Sequence, residues 1–336
     1  MSQVGGIVNV GLTCYANAVI QCMRSCTKIP WIFEKGRYET LFHKDTTEDR
    51  KNKQILTEAF AEVIQLLDQC KPGQSVRPGT FWKSLPPCIK RTTYEKFATL
   101  AQHDSFEFYL CILDILHESL AQEVDMNILR KPVTERDARA VMALEVWKKE
   151  FNSKYSPLVD LFFGIMHVRM QCDSCSNITH RWETFSSLEL PFPKDNPNPT
   201  LKDLMAEQLH PEKIEGYDCE KCATKRVVTK TSSIWRMPQN LVVNIKRFTW
   251  DNKKISTPVD MTAHFDFGPY LSDETAETKR HYSLRGVVDH HGSARGGHYT
   301  AQTLKDGTWS LYDDASVQEM PLTLGSSTYV LFFERD

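Results

Sequence analysis

At Pro157 the spacing of apolar residues changes, and that change limits the fold more than any single motif does. Before it, Leu56, Ala59, Phe60, Val63, Ile64 and Leu67 recur at three- and four-residue steps over 54–68. Phe106, Tyr109, Leu110, Leu113, Leu116 and Leu120 do the same over about 104–120. Such stripes predict amphipathic helices. A third, more charged and peripheral helix is expected over about 134–151. Beyond Pro157, segments 161–170, 181–190, 226–235 and 241–248 read as strands with short turns between them, and 282–290, 298–304, 308–313 and 328–333 as strands again. Helices first and an antiparallel sheet afterwards predict an α+β fold.

A chain of 336 residues can bury a sizeable core in one large domain or two ordinary ones. Its net charge of −2 gives no sign of a nucleic-acid or anionic-membrane partner. No window is long and apolar enough to span a bilayer, and the first residues lack the basic stretch and apolar run of a signal peptide. An intracellular location, cytoplasmic or nuclear, is therefore expected, where ten cysteines serve as thiols or metal ligands more readily than as disulfides. With so few residues before Cys14, no targeting domain is expected unless the chain is an excised core. The run Lys194-Asp195-Asn196-Pro197-Asn198-Pro199 reads as a surface turn.

Cys14 lies where a loop turns into a helix-compatible stretch, so the helix dipole and free N–H groups would favour its thiolate. Cys22, Cys26, Cys70, Cys88 and Cys111 have no such company and read as inert buried thiols. Asn9, five residues before Cys14, would donate its amide to an oxyanion at the thiol, a contribution of about 3 kcal/mol where such donors act; read singly, it is more readily an Asx-turn residue beside Gly11. Far downstream, His298 follows Gly296-Gly297, and the turn at Lys305-Asp306-Gly307 favours a two-residue hairpin between 298–304 and 308–313. In that register Leu304 pairs with Trp309 and Thr300 with Asp313. Asp313 then shares a face with His298, while Asp314 points to the other. Asp313 would orient the histidine, leaving its second ring nitrogen for the Cys14 thiol. A three-residue turn would promote Asp314 instead. Together these groups are what nucleophilic acyl transfer by a cysteine protease requires.

Two C-x-x-C pairs, Cys172/Cys175 and Cys219/Cys222, supply four thiolates at the local spacing of a tetrahedral Zn²⁺ site. Zinc is preferred over redox or free thiols. Because the gap between the pairs is long, two strand-borne knuckles must be brought together by a paired sheet. Four cysteines complete the shell, so the expected metal is structural.

These segments together resemble the ubiquitin-specific protease family, papain-like deubiquitinating enzymes. The shared landmarks are the box at 9–21, Gln102-His103-Asp104-Ser105-Phe106-Glu107-Phe108, both C-x-x-C pairs, 241–248, Gly296-Gly297-His298-Tyr299 and Tyr312-Asp313-Asp314. The resemblance implies one catalytic domain over 1–336: a helical thumb (about 1–160), zinc-bearing β fingers (about 161–245, interleaved with the palm) and an antiparallel-sheet palm (about 246–336). It implies Cys14 as nucleophile, His298 as base, Asp313 as third member, Asn9 as oxyanion donor and Asp314 as a support for the oxyanion or a water. It further implies cleavage after a Gly-Gly terminus, with ubiquitin's tail threaded between thumb and palm past Asp104, Glu107, Gly297 and Tyr299. Asp104 and Glu107 also have the spacing of a helix capping box, which needs no ligand. Expected partners are ubiquitin, ubiquitinated proteins and a regulatory protein. A ubiquitin-like modifier as substrate, or a silent ubiquitin-binding adaptor, are the competing readings. Two departures stand out: Ala16 where the family commonly has Met, and Phe106 where it usually has Gln. The charged segment 121–155 matches no landmark and reads as an insertion or partner surface. Polar loops at 251–255 and 290–295 are expected to be mobile and to cover the tail channel.

Overall fold

The computed structural model describes residues 5–44, 47–129, 131–194 and 196–336. Parts of the expected amino terminus (1–4), charged insertion (130) and surface turn (195) lie outside them.

Among the described residues, seven α-helices precede the two larger sheets: α1 (Cys14–Ser25), α2 (Lys28–Ile32), α3 (Glu48–Gln69), α4 (Gly79–Ile89), α5 (Ser105–Leu120), α6 (Glu135–Phe151) and α7 (Pro157–Phe162). The stripe read from 54–68 is the buried face of α3. Its helix starts earlier than expected, because Thr47 caps it through Arg50 N–H and Glu48 and Asp49 favour the positive end of its dipole. Asp104 caps α5 and Thr134 caps α6, the latter in a full capping box with Asp137. Helix α4, with Pro86 and Pro87 inside it, was not expected; prolines near a helix end remove donors without preventing the turn.

The period change at Pro157 marks the start of the sheets, with one correction. Segment 161–170 is not all strand, since Ser156 and a proline at the first helical position start the short α7. The strand begins only at Gly164, where a Cβ would come within 2.5 Å of the Phe185 ring. In chain order the strands are β1 (Gly6–Ile7), β2 (Ser75–Val76), β3 (Gly164–Cys172), β4 (Ile178–Phe185), β5 (Leu188–Leu190), β6 (Glu212–Cys219), β7 (Thr224–Arg236), β8 (Asn240–Ile245), β9 (His264–Asp266), β10 (His281–Ser293), β11 (Gly296–Lys305), β12 (Thr308–Asp313), β13 (Ser316–Glu319) and β14 (Thr328–Arg335), with α8 (Leu201–Gln208) after β5. Expected strand 181–190 is two strands in different sheets: β4 joins β3, β7 and β6, while β5 pairs in parallel with β8.

The large sheet runs β13-β12-β11-β10-β14-β8-β5, with β9 beside β10. Val242, Val288, Val330 and Phe332 face the helices; Val243, Val287, Leu331 and Phe333 face a second core with α8. Burial on both faces explains why β8 and β14 read as unbroken apolar runs. Helix α1 lies against β10 and β11, so the start of the chain meets its carboxyl-terminal strands. This is the α+β architecture expected, with the nucleophile's helix pressed onto the histidine's strand.

Candidate active site

Cys14 is the first residue of α1, at the dipole's positive end. Of the twelve residues in that helix, all but Ser25 are buried, Cys14 included. Burial raises the thiol pKa above its ordinary value; the N–H groups of Tyr299, Tyr15 and Cys14 itself pull it down, and the Asp314 charge pushes it up. Burial is the largest of these effects, and it makes a nearby base useful to the sulfur's reaction.

The candidate base, His298, lies on β11. The turn after it has Asp306 at φ +50° and Gly307 at φ +79°, both left-handed as a two-residue hairpin turn of this kind requires. Leu304 pairs with Trp309 and Lys305 with Thr308, the expected register. His298 Nε2 and Asp313 Oδ1 are consequently 2.6 Å apart. That contact fixes the imidazole and leaves Nδ1 without a protein hydrogen bond among the described residues. Among them, too, Cys14 Sγ makes no hydrogen bond to the ring, although the helix it begins packs against β11.

Asp314 departs from expectation. Strand parity sends it to the face opposite His298, yet its carboxylate lies within 4.8 Å of both His298 and Asp313. The cause is a left-handed backbone (φ +50°) at the turn into β13, where Asp314 C=O accepts from Ile7 N–H at 2.8 Å. Thus turned, Asp314 accepts from Asn9 Nδ2 at 2.9 Å and from Asn17 Nδ2 at 2.7 Å.

The Asx-turn reading of Asn9 holds, and its amide lies beside Asp314. Its Oδ1 accepts from the N–H groups of Gly11 and Thr13, the Asx-turn role, while Nδ2 is aimed by Asp314 and keeps a second hydrogen. Sequence reasoning missed Asn17. The available signal was its place three residues after Cys14, with Gln21 one turn further: two amides on one side of the otherwise apolar stretch from Cys14 to Met23. Gln21 donates to Gly5 C=O, so this polar line holds the chain's first strand region.

A cleft of about 460 Å³ lies between helices and sheet, lined by Asp104, Phe106, Glu107 and Tyr329 and by Gly297 and Tyr299, the residues that flank His298, but not by Cys14, Asn9 or His298 themselves. Asp104 is the cap expected, accepting from Glu107 N–H at 2.9 Å and from Tyr329 OH at 2.6 Å. Burial raises its pKa, and these two donors oppose the shift. The capping box is only half formed, since Glu107 turns its carboxylate to Lys96 instead. Gly297 C=O accepts from Gln102 across the cleft at 2.7 Å, and a Cβ on Gly297 would lie 2.2 Å from His291 C=O. Tyr299 is buried, its ring 4.6 Å from that of His290. The expected loop 290–295 is instead the end of a hairpin, paired through His291 with His298 and Ser293 with Gly296. Gly292 at φ +117° lets the strands approach that closely.

At the far end of β3 and β6, the Sγ atoms of Cys172, Cys175, Cys219 and Cys222 lie within 4.8 Å of one another. Residues Ser176 (φ +57°) and Ala223 (φ +51°), one after each pair, are left-handed and fold each C-x-x-C back on itself. Backbone N–H groups of Cys175 and Ser174 lower the Cys172 pKa. The four thiols are placed to hold a metal ion.

A family model described as ubiquitin carboxyl-terminal hydrolase matches residues 5–333. The chain is similar to ubiquitin carboxyl-terminal hydrolase 4 of Saccharomyces cerevisiae, 30% identical over 98% of this chain and 39% of that protein. It is 27% identical to ubiquitin carboxyl-terminal hydrolase 2 of Bos taurus, over 98% of this chain and 55% of the relative. The chain thus spans about two fifths to just over half of these relatives. In fold it is similar to a chain of the SAGA Ubp8/Sgf11/Sus1/Sgf73 DUB module bound to ubiquitin aldehyde, with TM-score 0.75 at 19% identity, covering 100% of this chain and 70% of that one. The same module bound to monoubiquitin gives 0.74 at 18% identity.

Proposed function

This chain belongs to the ubiquitin carboxyl-terminal hydrolase family, and from that premise we propose that it is a thiol-dependent deubiquitinase cleaving the peptide or isopeptide bond after ubiquitin's C-terminal Gly-Gly. The observation that carries the reading is the 2.6 Å His298–Asp313 contact, made from the strand that packs against the helix begun by Cys14. His298 takes the thiol proton, and the sulfur attacks the terminal glycine carbonyl. The free Asn9 N–H holds the oxyanion, and Asp314 aims Asn9. His298 then returns the proton to the leaving amine, and a water activated the same way hydrolyses the thioester. The cleft past Asp104, Glu107, Gly297 and Tyr299 receives the tail.

The four cysteines fit zinc. With Zn–S bonds of about 2.3 Å a tetrahedron sets its sulfurs about 3.8 Å apart; two of the six pairs here are 3.6 Å (Cys175–Cys219) and 4.0 Å (Cys172–Cys222), and all lie within 4.8 Å. Zinc held there would brace the four-stranded sheet and take no part in the chemistry. We assign ubiquitin and ubiquitinated proteins as partners. The regulatory subunits named with the Ubp8 module support a regulatory protein as well. Ten cysteines, none in a disulfide, support a reducing cytoplasmic or nuclear setting.

The test is labelling of the reduced, zinc-loaded chain by ubiquitin bearing a C-terminal electrophile. Adduct on wild type and none on Cys14→Ala is expected; an unlabelled wild type overturns the reading. Stronger labelling by a ubiquitin-like probe in competition would transfer the activity to that modifier.

A further inference from the structure

We propose that Trp250 is an apolar docking point for the folded body of ubiquitin, separate from the cleft that takes the tail; the identity of the partner rests on the function proposed above. Trp250 is 96% exposed, whereas tryptophan is on average among the most buried residue types. Its exposure does not come from a loose segment. Residues 248–254 form a small hairpin, with an antiparallel bridge between Phe248 and Lys254, Thr249 N–H donating to Lys253 C=O at 3.0 Å, and Asn252 N–H donating to Thr249 C=O at 3.1 Å. Asn252 occupies the left-handed region (φ +57°), which asparagine tolerates. Thr249 Oγ1 donates to Asp251 at 2.5 Å, and Asp251 pairs with Lys253 at 2.6 Å. Every polar group of the tip named here is satisfied locally, and the indole is the one large side chain at it that packs on nothing.

The base of the hairpin is fixed to the rim of the cleft. Arg247, fully buried, donates to the carbonyls of Ile255 (2.9 Å) and Thr257 (2.8 Å) on the returning limb, and to Thr328 (2.6 Å) and Gly325 (2.9 Å) beside β14. Lys254 Nζ donates to His290 C=O at 2.6 Å. Phe248 packs edge-on against the rings of His290 and Tyr329, and all three line the cleft. The indole therefore projects from a pre-ordered mount continuous with the tail's path. A protein whose tail lies in the cleft carries its folded body past that rim. A rigid exposed aromatic is the residue type that dominates binding energy at interfaces, at low entropic cost.

Binding of monoubiquitin to Cys14→Ala, measured by calorimetry on the full zinc-loaded chain, tests the proposal without requiring turnover. Adding Trp250→Ala is expected to weaken binding about 30-fold, the effect of a hot-spot aromatic, while Trp250→Phe recovers most of it. Both variants should melt at the wild-type temperature, since the indole packs on nothing in the fold. Unchanged affinity in Trp250→Ala, or no ubiquitin binding in its parent, overturns the docking role. Hydrolysis of a fluorogenic ubiquitin conjugate by wild type separately decides the catalytic reading: binding that depends on Trp250 without hydrolysis would leave this inference standing and remove the enzyme.

Discussion

The catalytic seam and the cysteine knuckles both join segments far apart in the chain, and they do so by different physics. At the seam, Asn9 and Asn17 bond to Asp314 across 305 and 297 residues. Large apolar cores on both faces of the sheet carry the cost of that closure, so the polar groups are free to specialise. The knuckle sheet has only a small cluster, Val168, Met170 and Val228 with Cys172 and Cys219, and its β6 edge is mostly exposed. Where apolar burial is scarce, a metal held by the four cysteines would supply what side-chain packing cannot. The lesson is that the intrinsic reactivity of the Cys14 thiol should withstand loss of the knuckles even where hydrolysis of ubiquitin does not, and the knuckles should withstand loss of catalysis.

The largest expected effect sits at the seam: Asp313→Ala should lower kcat by about 10³–10⁴-fold, the scale on which losing a histidine's orienting acid acts, while the melting temperature stays near wild type because Asp313 is exposed. A loss of only a few-fold would hand its role to Asp314.

Next comes the opposite perturbation. Zinc chelation, or Cys219→Ser, should cost several kcal/mol in the four-stranded sheet and show as a separate, earlier thermal transition. Ubiquitin hydrolysis should fall with it, while alkylation of Cys14 by a small reagent proceeds at the wild-type rate. Parallel loss of alkylation would mean that the two regions fold as one.

Smaller and more pointed is Asp314→Asn. It removes a charge that raises the Cys14 pKa, so the thiolate should form at lower pH and the midpoint of the alkylation-rate profile should move down. Hydrolysis should move the other way, dropping about 10–100-fold in kcat with KM unchanged, because Asn9 loses its guide. A midpoint that stays or rises contradicts the placement of that carboxylate.

The smallest effect concerns strain beside the nucleophile. Leu12 stands at φ +53° with its side chain 53% exposed. Leu12→Asn, a residue that tolerates this conformation, should stabilise the chain by about 1 kcal/mol as read by denaturant titration. No gain would show that the leucine is held by a contact worth the strain.

Much of this site could be read in the residues alone. The hairpin that sets His298 against Asp313 follows from Asp306-Gly307, because turn chemistry is local and strand parity carries it along the ladder. The two C-x-x-C pairs and the capping role of Asp104 were legible for the same reason: each depends on a few adjacent residues. Failures came where neighbours distant in sequence decide. Strand 181–190 splits because its halves meet different partners, and loop 290–295 became a hairpin because Gly292, Gly296 and Gly297 let two strands close to contact.

Asp314 marks the boundary most sharply. Sequence alone determined that the first and last parts of this chain carry a thiol, an imidazole and a carboxylate, and which carboxylate the strand presents to the ring. Only the tertiary structure decided that the next residue turns back: β1 packs so tightly on the turn that a Cβ at Gly6 would come within 2.4 Å of Ala315 C=O, and Ile7 N–H takes the Asp314 carbonyl. Periodicity describes side chains along one strand, but a left-handed turn forced by a segment some 300 residues away in the chain (|i−j| of 305 for the Asn9–Asp314 bond) follows from packing.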